Sequence, residues 1–218
     1  AENNKEVAKV FAKADEVLED SLSEVIFEGP QEKLTLTTNA QPALLTTSFA
    51  ILTALKEYDI TPDFVAGHSL GEYSALVAAG ALTFEDAVYA VRKRGEYMEE
   101  AVPGGEGAMA AILGADPHML KQVTEEVTSE GYAVQIANMN STKQIVISGT
   151  KQGVEVASQR AKENGAKRAI PLKVSGPFHS SLMKPAAEKF QSVLNEITIH
   201  DTNIPVIANV TAAGVIRC

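Results

Sequence analysis

Hydrophobic positions near the start of the chain recur with the period of an α-helix. The apolar residues that share one face between Lys5 and Leu18 are Val7, Val10, Phe11, Ala14, Val17 and Leu18. A second apolar run, "NAQPALLTTSFAILTALKEY", carries Pro42 near its beginning and extends to about Tyr58. Proline is tolerated in the first turn of a helix, where its missing N–H costs no hydrogen bond. We therefore predict an amphipathic helix followed by a buried one.

The next segments change from strand to helix within a few residues. "PDFVAG" predicts a short strand that ends at Gly67, and "LGEYSALVAAGAL" predicts a helix directly after it. Thr83 and Asp86 have the spacing of a helix N-terminal cap, so we expect a further helix through "AVYAVRKRGEYMEEA". "VPGGEG" then interrupts the pattern with one proline and three glycines, which we interpret as a boundary.

Beyond this boundary the predicted order is strand, helix, strand, strand, helix, strand. The segments are "AMAAILG", a helix over 116–129, "AVQIANM", "QIVISGT", a helix over 153–164 and "KRAIPLKV". This order is typical of a ferredoxin-like unit. A helix over 184–196 and the strand "IPVIANV" then resume the α/β pattern of the segments before the boundary. We predict an α/β fold with a hydrolase-like parallel-sheet main domain, residues 1–104 and 175–218, and an inserted ferredoxin-like α+β subdomain, residues 105–174.

Charge and cysteine content narrow the classes of partner. The chain has 19 basic and 28 acidic residues, a net charge of −9, which argues against nucleic acid as a partner. Cys218 is its one cysteine, so we expect no intrachain disulfide, no metal site and a cytoplasmic location. No apolar run approaches the ~18 residues of a membrane span, and we expect no membrane partner. The sequence begins without Met, which leaves open that it is part of a longer protein.

A serine lies between two glycines in the segment from Gly67 to Gly71, at the predicted strand-to-helix junction. This is the nucleophile-elbow pattern, in which the glycines permit a sharp turn that exposes the Ser69 Oγ. The backbone N–H after the serine, that of Leu70, can then stabilise an oxyanion. The same pattern fits a glycine-flanked turn whose serine caps the next helix. Both interpretations stay open on the pattern alone, and the strand and helix context favours the nucleophile.

A serine nucleophile needs a base, which is most often a histidine. The histidines of the chain are His68, His118, His179 and His200. His68 is too close in sequence to face Ser69, His118 lies in the first turn of a predicted helix, and His200 adjoins Asp201, although neighbours on a strand point to opposite faces. His179 follows a Gly-Pro turn, where a loop can present an imidazole. The residues alone prefer His179 only slightly.

A basic run, Arg92-Lys93-Arg94, lies on the predicted helix before the boundary. Such a run normally forms a solvated face. The apolar residues Val88, Val91 and Tyr97, however, have helical spacing with Arg94 or Gly95, which indicates that Arg94 points inward. A buried guanidinium requires a carboxylate or phosphate partner, because an unpaired buried charge is strongly destabilising.

Six segments in this order and spacing closely resemble the bacterial malonyl-CoA:acyl carrier protein transacylases and the related acyltransferase domains of polyketide synthases. They are "NAQPALLTTS", "GHSLGEYSALVAAGAL", "VRKRGEYMEEAVP", "GAMAAILG", "ANMNSTKQIVISG" and "VSGPFHSSLMKPAA". The resemblance covers nearly the whole chain, from about Lys5 to Val210. It implies transfer of a malonyl group from malonyl-CoA to the phosphopantetheine thiol of acyl carrier protein through a malonyl-serine intermediate, in fatty acid biosynthesis. It also implies no cofactor, since CoA is a product and malonyl-CoA a substrate, and we expect a monomer.

The resemblance also implies roles for individual residues. Ser69 is the nucleophile, His179 its base, and the Leu70 N–H an oxyanion donor. Arg94 binds the free carboxylate of the malonyl group, which a planar guanidinium fits with two hydrogen bonds. The remaining two substrate-binding positions are Gln41, in the pocket wall, and Phe178, whose ring disfavours an α-methyl branch.

A basic segment is a candidate docking surface for the acidic carrier protein. From Lys143 to Lys173 there are seven basic and two acidic residues, and a local positive surplus favours an acidic partner. Lys167 and Arg168 are the predicted docking residues because they lie close in sequence to the His179 loop. The alternative is that these charges only solvate the helix and strand that carry them.

Two parts of the family pattern do not occur in this sequence: a glycine-rich loop whose glutamine supplies a second oxyanion N–H, and a late strand that orients the catalytic histidine. Loss of one oxyanion donor typically costs on the order of 10²–10³ in rate. The alternatives to a transacylase are therefore an inactive fragment of one, or a serine esterase or thioesterase of the α/β-hydrolase type. The esterase requires an acidic triad residue between Ser69 and His179, and no convincing one is present.

Overall fold

The first helix shows how the local sequence sets an element boundary. In the computed structural model, which describes residues 4–58, 60–202 and 204–217, helix α1 spans Lys5–Leu18. The Asn4 side chain accepts hydrogen bonds from the N–H groups of Glu6 and Val7, which have no partner within the helix. Glu19, the residue after the helix, has a left-handed conformation that ends it. The predicted amphipathic helix is confirmed, with its apolar stripe buried.

The remaining elements of the described residues are further helices and strands of different lengths. The other helices are α2 Leu22–Glu28, α3 Gln31–Thr35, α4 Thr37–Leu55, α5 Gly71–Ala78, α6 Phe84–Glu100, α7 Pro117–Ser129, α8 Lys151–Glu163 and α9 Lys184–Glu196. The strands are β1 Val65–Ala66, β2 Gly107–Leu113, β3 Val134–Ser141, β4 Gln144–Thr150, β5 Arg168–Pro171, β6 Val206–Ile207 and β7 Gly214–Val215. Single 3₁₀ turns span Lys56–Tyr58 and Ser181–Met183. The fold is mixed α/β, as the sequence predicts.

The chain divides into two compact units. One comprises Ala1–Glu96 and Phe190–Cys218, and the other comprises Tyr97–Lys189. The predicted insertion, residues 105–174, lies within the second unit. Cys218, on which the expectation about disulfides rests, lies outside the described residues.

The first unit has a small sheet with a helical core. Strands β1 and β6 are parallel, with Val65 opposite Val206, and β7 pairs antiparallel with β6. The core contains Leu45 of α4 and Val88 of α6, both fully buried. Because β1 and β6 run in the same direction, the turns that follow both strands meet at one edge of the sheet.

Several elements of the first unit differ from the prediction. The segments 62–67 and 204–210 were expected to be strands, but only two residues of each pair in a ladder. Pro42 lies inside α4, which begins earlier, at Thr37, and α4 ends at Leu55 before a 3₁₀ turn. Short α2 and α3 were not predicted, because helices this short carry little periodicity.

The second unit is built on a larger antiparallel sheet. Its strands lie in the order β3-β4-β2-β5, and each neighbouring pair is antiparallel. Asp116 caps α7 and Thr150 caps α8 through side-chain hydrogen bonds to the first turn. Both helices pack on the sheet around Ile112 and Ile147, which are fully buried. The element order is the one predicted from the sequence.

Among the helices that the structure describes in residues 4–58, 60–202 and 204–217, none is both long enough and apolar enough to cross a bilayer.

Candidate active site

The turn between β1 and α5 holds Ser69 in an unusual backbone conformation. Its φ is +53°, in the left-handed region that residues other than glycine rarely adopt. Such a conformation costs about 1–3 kcal/mol and persists only where surrounding contacts impose it. Hydrogen bonds from Gly71 N–H to the His68 carbonyl and from Glu72 N–H to the Ser69 carbonyl close the turn. The half-buried Ser69 side chain thus sits at a strained strand-to-helix junction, as an elbow requires.

The two glycines of the elbow are not equivalent. A Cβ atom on Gly67 would lie 1.9 Å from the backbone carbonyl carbon and oxygen of Gly71, which is a severe overlap. A Cβ atom on Gly71 would meet nothing within 4 Å. The close approach of the strand end to the helix start therefore depends on Gly67 alone.

Asn209 holds the turn from the neighbouring strand. It follows β6 and accepts a hydrogen bond from Ser69 N–H through Oδ1 at 2.8 Å, while its Nδ2 donates to the Gly67 carbonyl at 2.7 Å. Its own N–H donates to Glu72 Oε1 at 3.3 Å. Sequence reasoning missed this residue. The available signal was a polar side chain at the end of a predicted strand, where the ends of parallel strands meet.

The guanidinium of Arg94 contacts the candidate nucleophile directly. Its Nη2 donates to Ser69 Oγ at 3.1 Å, and its Nη1 donates to Gln41 Oε1 at 2.5 Å. Gln41 is buried, with 4% of its surface exposed, and its Nε2 donates to Thr37 Oγ1 at 2.9 Å. A chain of hydrogen bonds therefore runs from the first turn of α4 to Ser69.

The approach of α6 to α4 explains how Arg94 reaches Gln41. Gly95 is buried, and a Cβ atom there would lie 2.7 Å from the Thr37 carbonyl oxygen. The missing side chain lets the two backbones come close at this point. Consequently Arg94, the neighbouring residue on α6, lies within hydrogen-bond distance of α4.

Burial shapes the electrostatics around Arg94. It lowers the pKa of the Arg94 guanidinium from its ordinary value, an effect that nearby Tyr73 and Glu72 oppose. The group stays charged at neutral pH, because arginine does not lose its proton in proteins. The Tyr73 ring lies 5.8 Å from the guanidinium carbon, and burial raises the pKa of its phenol, so the phenol is neutral. The half-buried cation thus lies over an aromatic face, which stabilises it.

Leu70 lies at the start of the helix that follows the candidate nucleophile Ser69. It is the N-cap residue of α5 and is buried. Backbone N–H groups at a helix N-terminus lack partners within the helix and favour negative charge. This is the local environment that an oxyanion donor needs.

Phe178 and His179 belong to the second unit and occupy a turn after Pro177. His179 is exposed and has a φ of +60°, while Ser180 Oγ donates to the Pro177 carbonyl at 2.7 Å. The Phe178 ring packs beside a small cluster that contains Met109 and Val146. The structure thus presents His179 on a strained turn, and the packing of the Phe178 ring fixes the residue that precedes it.

The other predicted residues lie at exposed positions. Lys167 and Arg168 are exposed at the start of β5, and the Lys167 stem lies over Gly114, where a Cβ atom would be 2.9 Å from it. His68, His118 and His200 are also exposed. Within the described ranges 4–58, 60–202 and 204–217, no group of His, Cys, Asp or Glu side chains is arranged to hold a metal ion.

The fold and this arrangement around Ser69 define a class of protein. The chain matches the family described as "Acyl transferase domain" over residues 1–215, and it belongs to that family. The family resemblance inferred from the motifs is therefore confirmed.

Comparison with individual relatives narrows the family to one group of enzymes that share a name. The chain is 70% identical over 204 residues to the malonyl CoA-acyl carrier protein transacylase of Bacillus subtilis (strain 168), covering 94% of this chain and 64% of that protein. It is 46% identical to the transacylase of the same name from Staphylococcus aureus (strain MRSA252), covering 97% of this chain and 68% of that protein. The chain thus spans about two thirds of the length of these relatives.

Solved structures of similar proteins agree with the fold. The malonyl CoA-acyl carrier protein transacylase from Coxiella burnetii has a TM-score of 0.95 and 44% identity, over 99% of this chain and 68% of that one. A malonyl-transacylase in complex with its type II PKS acyl-carrier protein has a TM-score of 0.93 and 45% identity, over 96% of this chain and 68% of that one.

The unequal glycines of the elbow lead to a prediction. Gly67→Ala forces the strand end and the helix start apart, so we expect a loss of about 1–3 kcal/mol in the free energy of unfolding. Gly71→Ala is the matched control, and we expect a change of less than about 1 kcal/mol, because alanine favours helix. Urea denaturation of both variants measures the difference. Equal destabilisation by the two changes would contradict this account of the turn.

Proposed function

We propose that the protein transfers a malonyl group from malonyl-CoA to the phosphopantetheine thiol of an acyl carrier protein, through an ester on Ser69, in the cytoplasm and in fatty acid biosynthesis. The observation that carries this proposal is the distance of 3.1 Å between the Arg94 guanidinium and Ser69 Oγ. Relatives that are named malonyl CoA-acyl carrier protein transacylases support the same reaction.

A guanidinium beside the nucleophile selects for an acyl group that has its own negative charge. The hydrogen-bond partners described for Arg94, Gln41 and Ser69, are neutral, and nearby Glu72 favours the charged form, so the guanidinium remains positive and can pair with an anionic ligand. In a malonyl ester of Ser69, only a methylene separates the ester carbonyl from the free carboxylate. That carboxylate therefore lies within reach of the guanidinium, which can bind it with two parallel hydrogen bonds. An acetyl group has no such anion.

The proposed first step forms the acyl-enzyme. Ser69 Oγ attacks the thioester carbonyl carbon while its proton passes to His179, and the oxyanion that forms accepts a hydrogen bond from the Leu70 N–H. The carbon–sulfur bond then breaks, and the CoA sulfur takes the proton from His179. Gln41 holds the guanidinium in place, and the Phe178 ring disfavours substrates with an α-methyl branch.

The proposed second step reverses the chemistry with a different thiol. The phosphopantetheine thiol gives its proton to His179 and its sulfur attacks the ester carbonyl, after which the Ser69 oxygen leaves with that proton. Each half-reaction balances without an electron acceptor or a metal ion, so we propose that no cofactor takes part. The same residues thus serve both halves of a ping-pong reaction, and we propose a monomer as the working unit.

We also infer a finer description of the fold. The all-antiparallel strand order β3-β4-β2-β5, with α7 and α8 between strands, supports a ferredoxin-like subdomain over residues 105–174. The parallel β1–β6 pair that precedes the elbow supports a hydrolase-like main domain over 1–104 and 175–218.

For the partner, we propose that an acidic carrier protein docks on Lys167 and Arg168. Both side chains are exposed on the second unit, in a segment with a positive surplus. The similar malonyl-transacylase bound to its acyl-carrier protein supports a carrier partner for this chain. Opposite charges mainly steer encounter and fix orientation.

Covalent labelling tests the proposed reaction. We expect radiolabelled malonyl-CoA to leave acid-stable label on the wild-type protein, and Ser69→Ala to abolish it, because the ester forms on that oxygen. The label should move to an added phosphopantetheinylated carrier protein. Label that persists in Ser69→Ala would refute the nucleophile. Loss of label to water at a rate independent of the carrier protein would instead indicate a serine esterase.

A second prediction concerns the carboxylate partner. We expect Arg94→Ala to lower kcat/KM for malonyl-CoA at least about thirtyfold. This corresponds to the loss of roughly 2–5 kcal/mol of binding energy, because the change removes one partner of a desolvated charge pair. Steady-state kinetics with malonyl-CoA and acetyl-CoA measures this. Arg92→Ala, on the same helix but bonded to Asn39 and Asp20, is the control and should keep the malonyl preference. An unchanged preference in Arg94→Ala would exclude the role.

A third prediction concerns carrier docking. We expect the double change Lys167→Gln and Arg168→Gln to raise KM for the carrier protein about two- to tenfold, as loss of exposed ion pairs would. Formation of the malonyl ester from malonyl-CoA should not change. Lys121→Gln, an exposed position on α7, is the control. The same increase in KM with the control would show a general effect of net charge and no local docking site.

A further inference from the structure

The hydrogen bonds of the Asn209 side chain have the pattern of a rung in a parallel β-ladder. In such a ladder a residue donates to the residue before its partner and accepts from the residue after it. The Asn209 amide donates to Gly67 and accepts from Ser69, the two residues on either side of His68. A single side chain thus makes both bonds that a backbone residue opposite His68 would make.

The register of the strands agrees with this interpretation. Val65 lies opposite Val206 and Ala66 lies opposite Ile207. The same offset, continued two residues further, sets His68 opposite Asn209. The backbone ladder between β1 and β6 stops after Ala66. The Asn209 side-chain amide makes the two hydrogen bonds that the continued register would assign to the backbone of residue 209.

We propose that Asn209 is the positioning residue of the elbow: its side-chain amide extends the β1–β6 ladder through the turn and sets the position of Ser69 Oγ. This role rests on the proposed nucleophilic function of Ser69. The left-handed φ of Ser69 must be held by its surroundings, and the Asn209 amide is bonded to the N–H of that same residue. The bond occupies the Ser69 N–H, so the Leu70 N–H is the elbow donor that faces an oxyanion.

Contacts on the opposite side of Asn209 fix its backbone. Its N–H donates to Glu72 Oε1, on the first turn of α5. Asn209, at the end of β6, is therefore bonded to a residue before Ser69, Gly67, and to a residue after it, Glu72. If Asn209 had only a structural role, its replacement would lower the free energy of unfolding as well as the reactivity of Ser69. Asn209 is exposed, and water replaces exposed hydrogen bonds at little cost to global stability.

The test measures the reactivity of Ser69 without an acyl substrate. A fluorophosphonate probe, in which the serine oxygen displaces fluoride from phosphorus, is applied to the wild type, Asn209→Ala and Asn209→Asp. We expect Asn209→Ala to lower the second-order rate constant about 10- to 100-fold, the effect of a nucleophile displaced by about an ångström. Asn209→Asp should lose at least as much, because its carboxylate oxygen would face the Gly67 carbonyl oxygen.

Two further measurements separate positioning from stability. The midpoint of urea unfolding should be the same in Asn209→Ala as in the wild type, and malonyl-CoA kinetics should show a lower kcat with little change in KM. Asn195→Ala removes an exposed asparagine on α9 with one side-chain hydrogen bond, and it should match the wild type throughout. A midpoint that falls together with reactivity would show a structural residue and overturn the proposal.

The outcomes also distinguish this proposal from the proposed function. A wild-type protein that reacts with the probe at Ser69 but takes no malonyl group would refute malonyl transfer, and the Asn209 comparison would still stand. An Asn209→Ala variant that reacts at the wild-type rate would overturn the positioning role alone. A wild-type protein that does not react at Ser69 would overturn both.

Discussion

The left-handed backbone of Ser69 is the constraint on which the site in the first unit depends. A residue with a side chain in this region costs about 1–3 kcal/mol and persists there only where its neighbours impose the conformation. The neighbours do so from three directions: the close approach at Gly67, the hydrogen bonds that begin α5, and the Asn209 amide. This conformation places the serine oxygen outside the regular elements and within reach of Arg94.

The helical core serves the same site by bringing α6 and α4 together. Gly95 removes the side chain at the closest approach, and Arg94 then lies beside Gln41. Close packing through a small residue leaves little room for a second arrangement of the neighbouring side chains. The position of the guanidinium relative to Ser69 is thus a consequence of helix packing, with Thr37 and Gln41 completing the hydrogen bonds.

Much of the fold could be predicted from local sequence. The stripe between Lys5 and Leu18, the cap at Asp116 and the alternation of strands and helices after residue 105 each carry a local signal, and each element appears where expected. The glycines and serine of the elbow likewise indicate their turn. Helical spacing also indicated the inward orientation of Arg94, since Val91 and Tyr97 lie three positions away on either side of it.

The rest depends on contacts between residues that are distant in the chain. Asn209 and Ser69 are 140 positions apart in the chain. No local sequence pattern predicts that an asparagine at the end of a two-residue strand forms a hydrogen bond to the elbow. The unequal roles of Gly67 and Gly71 are also invisible in the pattern, which treats them alike. Strands β1 and β6 are shorter than their apolar runs, because the length of a strand is set by its ladder partner as well as by its own residues.

The two amides that border the candidate nucleophile Ser69 share a physical property. Gln41 is hydrogen-bonded to the Arg94 guanidinium, and Asn209 is hydrogen-bonded to the Ser69 backbone, and neither amide carries a charge. A carboxylate at Gln41 would form an ion pair with Arg94 and compete with the carboxylate of a substrate. A carboxylate at Asn209 would add negative charge close to the oxyanion of the proposed reaction. Neutral amides therefore supply the geometry of the site and leave the positive charge of Arg94 for the acyl group that Ser69 is proposed to accept.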